Sequence, residues 1–386
     1  MNTQFDFSSA SRIVFGQGKL TQVGSAAAGM GKKALVVAGF HNQDFKRLTA
    51  LLEDNRVAWE AYQVNSEPDI DTVEKGRMAA QETGCDLVIG FGGGSAIDTG
   101  KAIAALMTNP GEILDYLEVV GRNLPMQALS LPYIAIPTTA GTGSEVTRNA
   151  VISVPEKRVK VSLRSPLMLP SLAIVDPQLT LSLPPAVTAS TGMDALAQVI
   201  EPFVSKRANP MVDMFCREGI QRAARSLLTA FQSGMDQAAR EDMAFTSLMG
   251  GLSLANAGLG AVHGFAGPLG GMFSAPHGAV CACLLSPVVQ VNARALAQRE
   301  PDHPAYARYL EISRLVTGKN TASIEDLICW LEDLRVSLAI PSLRTFGLKQ
   351  EDLVLLVEKG AAASSMKTNP IVLQNEELHE VLELAM

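Results

Sequence analysis

Cysteine is scarce in this sequence, and its spacing shows no recognisable pairing. The 386 residues include five cysteines, and no two of them form a CxxC pair. An odd number without paired spacing argues against a disulfide framework and favours a reducing compartment. The amino terminus has no basic start that leads into an apolar stretch, so we expect no signal peptide. The sequence therefore predicts a cytoplasmic protein.

Charge is also sparse, at 18% of the residues, and the formal net charge is −7. No run of lysine or arginine reverses that sign locally, which argues against nucleic acid or anionic lipid as a partner. Long apolar runs are missing too: the run at 34–38 is far too short to cross a bilayer. Hydrophobic residues nevertheless make up 47% of the chain, enough for large buried cores. We therefore predict an ordered protein with no nucleic-acid and no membrane partner.

The first half of the chain alternates short apolar runs with helix-like segments. Such alternation, with helical stretches of roughly 10 to 15 residues, indicates βαβ units and a parallel sheet. The strand candidates are 34–38, 58–64, 86–90, 133–136, 150–153, 159–163 and 172–175. The helix candidates between them are 44–55, 72–83 and a segment that ends at 106.

Helical periodicity dominates the second half. The helix candidates there are 186–204, 211–232, 240–257, 305–317, 324–336 and 351–363. Asp-Pro and Pro-Pro pairs interrupt the pattern between 176 and 185, which is typical of a boundary. The length also suggests two domains. We predict an α/β domain at 1–180 and an all-helical domain at 181–386.

Two loops after predicted strands are candidates for nucleotide binding. The first is the glycine-rich turn at 92–95, whose backbone N–H groups and helix dipole would attract phosphate. It matches neither the Walker A pattern nor GxGxxG, and a plain tight turn is the alternative. The second, at 137–145, combines hydroxyls and glycines, with a solvated loop as its alternative. Since both follow parallel strands, together they favour a nucleotide.

Three residues of the second half are candidates for a metal site. Asp194 lies on an apolar helix, where a buried carboxylate needs a partner. His263 and His277 lie in glycine-rich apolar segments. Two histidines and a carboxylate suit Fe²⁺ or Zn²⁺. Taken singly, each histidine is more readily a hydrogen-bonded core residue than a ligand, and the sequence does not prove that the three meet.

Several long motifs, in order along the chain, make the sequence resemble the iron-containing (group III) alcohol dehydrogenases. The matching segments are GGGSAIDTGK at 92–101, PTTAGTGSEVT at 137–147, GMDAL at 192–196, GLGAVH at 258–263 and APHG at 275–278. The resemblance implies a Rossmann-like dinucleotide-binding domain followed by an all-α metal and substrate domain. This is the dehydroquinate synthase-like architecture.

The resemblance also implies roles for individual residues. The metal ligands would be Asp194, Gln198, His263 and His277, and of these Asp194, His263 and His277 would be catalytic. The cofactor-binding positions would be Gly39, Gly93, Gly94, Ser95, Thr138, Thr139, Thr142, Val151 and Lys160. For Lys160, a solvated surface lysine is the alternative.

Three positions depart from the family pattern. Gln198 stands where the family has its second ligand histidine, and an amide oxygen is a poorer ligand than imidazole for Fe²⁺ or Zn²⁺. Gly267 stands where the family usually has a further histidine, so a candidate proton carrier is missing. Gly39 replaces the aspartate of NAD-preferring members, which would repel a 2′-phosphate, so NADP(H) is acceptable as well as NAD(H).

The leading hypothesis is an NAD(P)-dependent alcohol dehydrogenase or aldehyde reductase that acts on a small alcohol or carbonyl compound, with a metal that polarises the substrate oxygen. The first alternative is a metal-free reductase resembling maleylacetate reductase, since Gln198 can mark a lost metal site. A dehydroquinate synthase-like lyase and a noncatalytic nucleotide-binding protein are further alternatives. Related dehydrogenases are commonly oligomers, so we expect a homo-oligomer.

Overall fold

The computed structural model describes residues 4–39, 42–157, 159–273 and 275–386. These residues form two compact units, and the main division lies between Leu181 and Ser182. The amino-terminal unit consists of Ser8–Thr139 and Gly143–Leu181. The helical unit consists of Ser182–Met386 together with residues 4–7 and Ala140–Thr142. A single boundary along the sequence, as at 180/181, does not describe the two short segments that join the helical unit.

The described residues of the amino-terminal unit form eight strands and five α-helices. The strands are β1 (Ile13–Phe15), β2 (Lys33–Ala38), β3 (Ala58–Gln63), β4 (Leu87–Gly92), β5 (Tyr133–Pro137), β6 (Asn149–Val154), β7 (Val159–Arg164) and β8 (Leu172–Val175). The helices are α1 (Val23–Ala28), α2 (Gln43–Asp54), α3 (Ile70–Thr83), α4 (Gly94–Leu106) and α5 (Ile113–Tyr116). The predicted strands and helices of this half are therefore present, and β1, α1 and α5 were not predicted.

Six strands form a parallel sheet in the order β1-β8-β5-β4-β2-β3. The other two, β6 and β7, pair with each other as an antiparallel hairpin, and single bridges join Ser153 to Asp69 and Leu163 to Leu117. The central strands are apolar throughout because both faces of the sheet are covered. Leu35 and Val37 belong to one core with α3 and α4, whereas Val36 and Ala38 belong to the other with α1 and α2. The parallel α/β fold predicted from the sequence is confirmed.

The strand order reverses between β2 and β4. The chain passes from β2 outward to β3 and then returns to the other side of β2 to form β4. In open parallel sheets, ligands bind at the carboxyl ends of the strands beside such a reversal. Here those ends carry Gly39 and the turn that begins at Gly92, so the topology brings two of the predicted cofactor-binding segments together.

The helical unit contains nine helices among its described residues. They are α6 (Pro185–Val204), α7 (Pro210–Gln232), α8 (Gln237–Ala257), α9 (Ala261–Met272), α10 (His277–Arg299), α11 (Pro304–Thr317), α12 (Ile324–Ser337), α13 (Leu353–Ala362) and α14 (Asn375–Ala385). The sequence did not predict α9, α10 and α14. Glycine and proline disfavour α9, which contains Gly264, Gly267 and Pro268, and tertiary packing overrides that propensity.

Helix α10 is long and apolar enough to cross a membrane, although 89% of its apolar stretch is buried inside the protein. The bent pair α8 and α9 would also pass by length and composition. A buried core helix passes the same test, so this is weak evidence for a membrane span. The expectation that every apolar segment is too short is therefore wrong for α10, whose apolar residues are spread over a whole helix.

Candidate active site

One face of α6 carries three buried polar side chains. Asp194, Gln198 and Glu201 follow each other at intervals of four and three residues, which places them on the same side of the helix. Each is at least 96% buried. Buried polar groups require partners from neighbouring elements. This face of α6 therefore supplies the first three polar side chains of the site.

His263, in the first turn of α9, lies between the two carboxylates of that face. Its Nε2 is 3.2 Å from Asp194 Oδ1, and its Nδ1 is 2.6 Å from Glu201 Oε2. The other Glu201 oxygen accepts the backbone N–H of Val262 at 2.7 Å. Because an ionised carboxylate only accepts, Nδ1 of His263 donates to Glu201. The Nε2 atom is thereby directed at Asp194.

Helix α10 brings two further donor atoms to the same place. His277 is its first residue, and Cys281 follows one turn later on the same face. The Cys281 Sγ lies 3.6 Å from His277 Nε2 and 3.9 Å from His263 Nε2. Close packing of α10 on α6 makes this possible: a Cβ on Gly278 would lie only 2.2 Å from the Ser190 carbonyl oxygen.

The four side chains Asp194, His263, His277 and Cys281 form a cluster whose ligand atoms all lie within 4.8 Å of one another. An oxygen, two imidazole nitrogens and a sulphur are the donors that a divalent transition metal prefers. The residues present therefore fit a metal ion. The His277 side chain is 36% exposed, against 7% for His263 and 3% for Asp194, so the cluster is open on the His277 side.

The electrostatics of the cluster are those of a cation-binding site. Burial lowers the pKa of His263, but the neighbouring Cys281 and Glu201 side chains outweigh it and raise that pKa well above its ordinary value. The Cys281 sulphur, opposed by burial, raises the pKa of His277 to about 9. Burial opposes ionisation of Asp194, yet the hydrogen bond with His263 keeps its pKa below the ordinary range. Positive charge is thus stabilised at this point.

Gln198 lies beside the cluster. Its side chain hydrogen-bonds Asp194 and favours the ionised carboxylate. Its Oε1 finds no hydrogen-bond partner in the part of the chain that the structure describes. A Cβ on Gly250 of α8 would lie 3.4 Å from that oxygen, so the oxygen rests against α8. The amide thus holds Asp194 in this structure.

The sequence indicated Asp194, His263 and His277, and the structure brings these three together. Sequence reasoning missed Cys281 and Glu201. The available signal was helical spacing: Cys281 is four residues after His277, and Glu201 is seven after Asp194. A search for cysteine pairs does not detect Cys281, because its neighbours in the cluster are histidines and an aspartate and not another cysteine.

The glycine-rich turn joins β4 to α4 in the amino-terminal unit. Gly93 is the N-cap of α4 and makes no side-chain cap, so the first N–H groups, including those of Gly94 and Ser95, point out of the helix end. A Cβ on Gly92 would lie 2.8 Å from the Ala96 Cβ, and its φ of +154° also favours glycine. This end is suited to an anion.

The other predicted cofactor-binding residues of β2 and β5 lie at the same edge. The Thr138 N–H donates to the Gly92 carbonyl at 2.9 Å. A Cβ on Gly93 would lie 3.3 Å from Thr139 Cγ2, so Thr139 packs on the turn. A Cβ on Gly92 would also lie 3.6 Å from the Gly39 nitrogen. The two loops and the end of β2 therefore form one edge.

The other three predicted cofactor-binding residues belong to other elements of the chain. Val151, on β6, donates its N–H to Asp98 Oδ2 at 2.9 Å, and its side chain is exposed. Lys160, on β7, forms an ion pair with Glu67, which partly neutralises its charge. Thr142 belongs to a segment that packs with the helical unit.

A buried lysine fastens α4 to the loop that follows β5. Lys101 is 1% exposed, and its Nζ donates to the carbonyl oxygens of Ser144 (2.7 Å) and Asn149 (2.8 Å) and to Thr147 Oγ1 (3.0 Å). Beside it, burial raises the pKa of Glu145 to about 7, although Lys101 acts in the opposite direction. Lys101 therefore anchors residues 144–149, at the end of the glycine- and threonine-rich loop, to α4.

Known proteins resemble this chain over nearly its whole length. The iron-containing alcohol dehydrogenase family matches residues 10–177, and the C-terminal domain of that family matches residues 188–386. Alcohol dehydrogenase 4 of Schizosaccharomyces pombe is 36% identical over 89% of this chain and 79% of its own length.

Solved structures agree with this likeness. The crystal structure of a 1,3-propanediol oxidoreductase superposes with a TM-score of 0.92, at 32% identity, over 99% of this chain and all of that one. The sulfoacetaldehyde reductase of Bifidobacterium kashiwanohense, solved in complex with NAD⁺, gives a TM-score of 0.87 at 28% identity and covers 100% and 99% of the two chains.

The family match spans both units and contains the side chains gathered around Asp194. The predicted combination of a parallel α/β unit and a helical unit is the fold of these relatives. This chain belongs to the iron-containing alcohol dehydrogenase family, and it is an oxidoreductase that acts on CH–OH groups.

Proposed function

We propose that this enzyme transfers a hydride reversibly between a nicotinamide cofactor and a small alcohol or aldehyde, with a divalent metal held by Asp194, His263 and His277. The observation that carries the proposal is the cluster itself, in which a carboxylate oxygen and two imidazole nitrogens converge in a buried pocket. Fe²⁺ and Zn²⁺ both suit these donors. A bound divalent cation would supply Lewis acidity toward a substrate oxygen.

The chain's own residues prepare that chemistry. Glu201 holds the His263 ring so that Nε2 is directed into the cluster. Hydrogen bonds from His263 and, to a smaller extent, Gln198 favour the ionised Asp194 carboxylate, whose negative charge would partly balance a cation in the buried site. His277 borders the open side, where a small substrate would enter. Gly267 offers no side chain, so protons leave through water or through a cofactor hydroxyl.

The cofactor proposal rests on the edge of the parallel sheet. The uncapped N-terminus of α4 at Gly93 would take the pyrophosphate, and the hydroxyls of Thr138 and Thr139 lie on the neighbouring strand end. A relative of similar fold was solved with NAD⁺, which supports NAD(H). Because Gly39 places no carboxylate at the end of β2, we propose that NADP(H) is accepted as well.

Small-molecule alcohols and aldehydes are the substrates, in keeping with the family. The relatives act on different compounds, among them 1,3-propanediol and sulfoacetaldehyde. We propose a small uncharged alcohol or aldehyde for this chain, because the open side of the cluster is bordered by His277 and no lysine or arginine is paired with the described cluster residues. A cytoplasmic homo-oligomer remains part of the proposal.

The decisive experiment is the metal content of anaerobically purified protein, paired with cofactor oxidation before and after chelation. We expect about one iron or zinc per chain, activity lost on chelation, and activity regained with metal. Full activity in protein free of metal would refute the metal centre. That result would move the enzyme to the metal-free reductases that resemble maleylacetate reductase, and acidic carbonyl substrates would be tested next.

A further inference from the structure

Cys281 occupies a position in the site that the roles of Asp194, His263 and His277 leave unexplained. Its side chain is fully buried, and its sulphur faces both imidazoles. Of the five cysteines, it alone belongs to the metal-binding cluster. We propose that Cys281 supplies a fourth ligand to the metal centre, in place of Gln198, and that the resulting site favours Zn²⁺. This inference rests on the metal centre proposed above.

The distances in the cluster match those of a metal coordination shell. Tetrahedral bonds of about 2.0–2.2 Å to nitrogen and oxygen and about 2.3 Å to sulphur separate neighbouring ligand atoms by roughly 3.3–3.8 Å. Here the carboxylate oxygen lies 3.2 and 3.9 Å from the two imidazole nitrogens, and the sulphur lies 3.6 and 3.9 Å from the same nitrogens. Four of the six ligand-atom pairs therefore have separations close to those around one tetrahedral ion, and the other two pairs lie within 4.8 Å.

Gln198 is the weaker candidate for this position. Its amide hydrogen-bonds Asp194, and its oxygen rests against α8 beside Gly250. An amide oxygen is also a poorer partner for Zn²⁺ than a thiolate. Gln198 is therefore assigned as a positioning residue for Asp194.

Charge balance favours the thiolate as well. A divalent cation with Asp194 and two neutral imidazoles would leave one positive charge on the coordination shell, and the Glu201 carboxylate opposes it only from behind His263. On binding, Cys281 gives its S–H proton to solvent, and the sulphur donates a lone pair to the cation without any change of oxidation state. The cation and its four ligands together then carry no net charge. Catalytic zinc sites can expand to a fifth ligand, so four protein ligands leave room for substrate.

The first test is X-ray absorption at the zinc edge of the full-length, zinc-loaded wild-type protein. We expect one sulphur neighbour at about 2.3 Å among nitrogen and oxygen neighbours. This measurement needs no variant, so it does not depend on how a substitution affects folding. One bound zinc with no sulphur neighbour would overturn the inference and leave the proposed metal function intact. Failure of the wild type to bind zinc at all would refute both.

The second test uses cobalt and a matched control. Metal-depleted wild type titrated with Co²⁺ should develop a thiolate-to-cobalt charge-transfer band in the near ultraviolet. Cys281→Ser should lose the band and bind Zn²⁺ more weakly, by more than the roughly 10- to 100-fold that the loss of an outer-shell partner costs. Cys283→Ser is the control, because Cys283 lies on the same helix but donates to the Pro341 carbonyl at 3.0 Å. A band that persists in Cys281→Ser would overturn the inference.

Discussion

Glu201 Oε2 accepts a hydrogen bond from Nδ1 of His263 at 2.6 Å, while Asp194, seven residues earlier on the same helix, meets the Nε2 of that ring. A carboxylate behind a metal-binding imidazole fixes its tautomer and orientation. The second oxygen of Glu201 accepts the Val262 N–H, so the carboxylate also fixes the start of α9. One side chain therefore couples the position of α9 to the direction of the His263 lone pair.

Glu201→Gln is expected to weaken metal binding by about 10- to 100-fold. A Gln side chain replaces one of the two accepting oxygens with an NH₂ group, so either the His263 Nδ1–H or the Val262 N–H would face a donor. The measurement is the Zn²⁺ dissociation constant of metal-depleted protein, followed with a competing chelator dye. Glu332→Gln serves as the control, because Glu332 pairs with Arg335 on α12 and has no contact with the cluster. Unchanged zinc affinity in Glu201→Gln would mean that the ring needs no such support.

His277→Ala is expected to reduce kcat by at least about 10²- to 10³-fold, the range reported for the loss of one group that stabilises developing charge. The cofactor dissociation constant should stay within about twofold, since no described contact links His277 to the α4 turn. Nicotinamide fluorescence measures that constant. The control is His379→Ala, because His379 pairs with Glu383 on α14 outside the site. Substantial turnover by His277→Ala would contradict the proposed metal centre.

Sequence periodicity predicted the parallel sheet because its strands are buried on both faces and therefore appear as continuous apolar runs. The same reasoning could not assign the strands at 150–153 and 159–163 to a separate hairpin, since strand pairing is a long-range property. Helices α9 and α10 were missed for a different reason. Their glycines permit close approach, as at Gly278, and such packing is invisible to local propensity.

The candidate active site was likewise predictable only in part. Asp194 was recognisable because a carboxylate on an apolar helix needs a partner. Cys281 was not, because cysteine is a common buried residue and its sulphur becomes informative only next to the two imidazoles. The orientation of Gln198 was equally hidden, since a sequence shows which side chain is present but not which of its atoms faces the cluster.

Glu145→Gln should make the folding stability of the protein less sensitive to pH. Burial raises the pKa of Glu145 from 4.5 to about 7, so the folded state binds a proton that the unfolded state has released between those two values. Folding stability therefore falls as the pH rises through this window, and the cost is fully present above pH 7. A neutral Gln removes it. The variant should be the more stable protein at pH 8, by up to about 3 kcal/mol, and should show no such gain at pH 5.

Urea unfolding of the two proteins at each pH measures this difference. Comparison at the same pH removes the contribution of all other titrating groups. Glu351→Gln is the matched control, because the Glu351 side chain is 76% exposed and should leave stability unchanged at both values. The prediction fails if the difference in unfolding free energy between wild type and Glu145→Gln is the same at pH 5 and at pH 8. Glu145 would then be ionised in the folded protein at a small cost.

Gly39→Asp should shift the enzyme toward NAD(H). Gly39 follows β2 directly, and a Cβ there would meet only the Val64 carbonyl oxygen, at an ordinary contact distance of 3.7 Å. The aspartate can therefore be accommodated, and it would bind ribose hydroxyls and repel a 2′-phosphate. We expect the ratio of kcat/KM for NADPH to that for NADH to fall at least tenfold, which corresponds to ~1.4 kcal/mol. Gly39→Asn, of the same size without the charge, is the control. If the asparagine changes the ratio as much as the aspartate does, the bulk of the side chain and not its charge governs the cofactor preference. If the wild type already rejects NADPH, residues other than Gly39 set that preference.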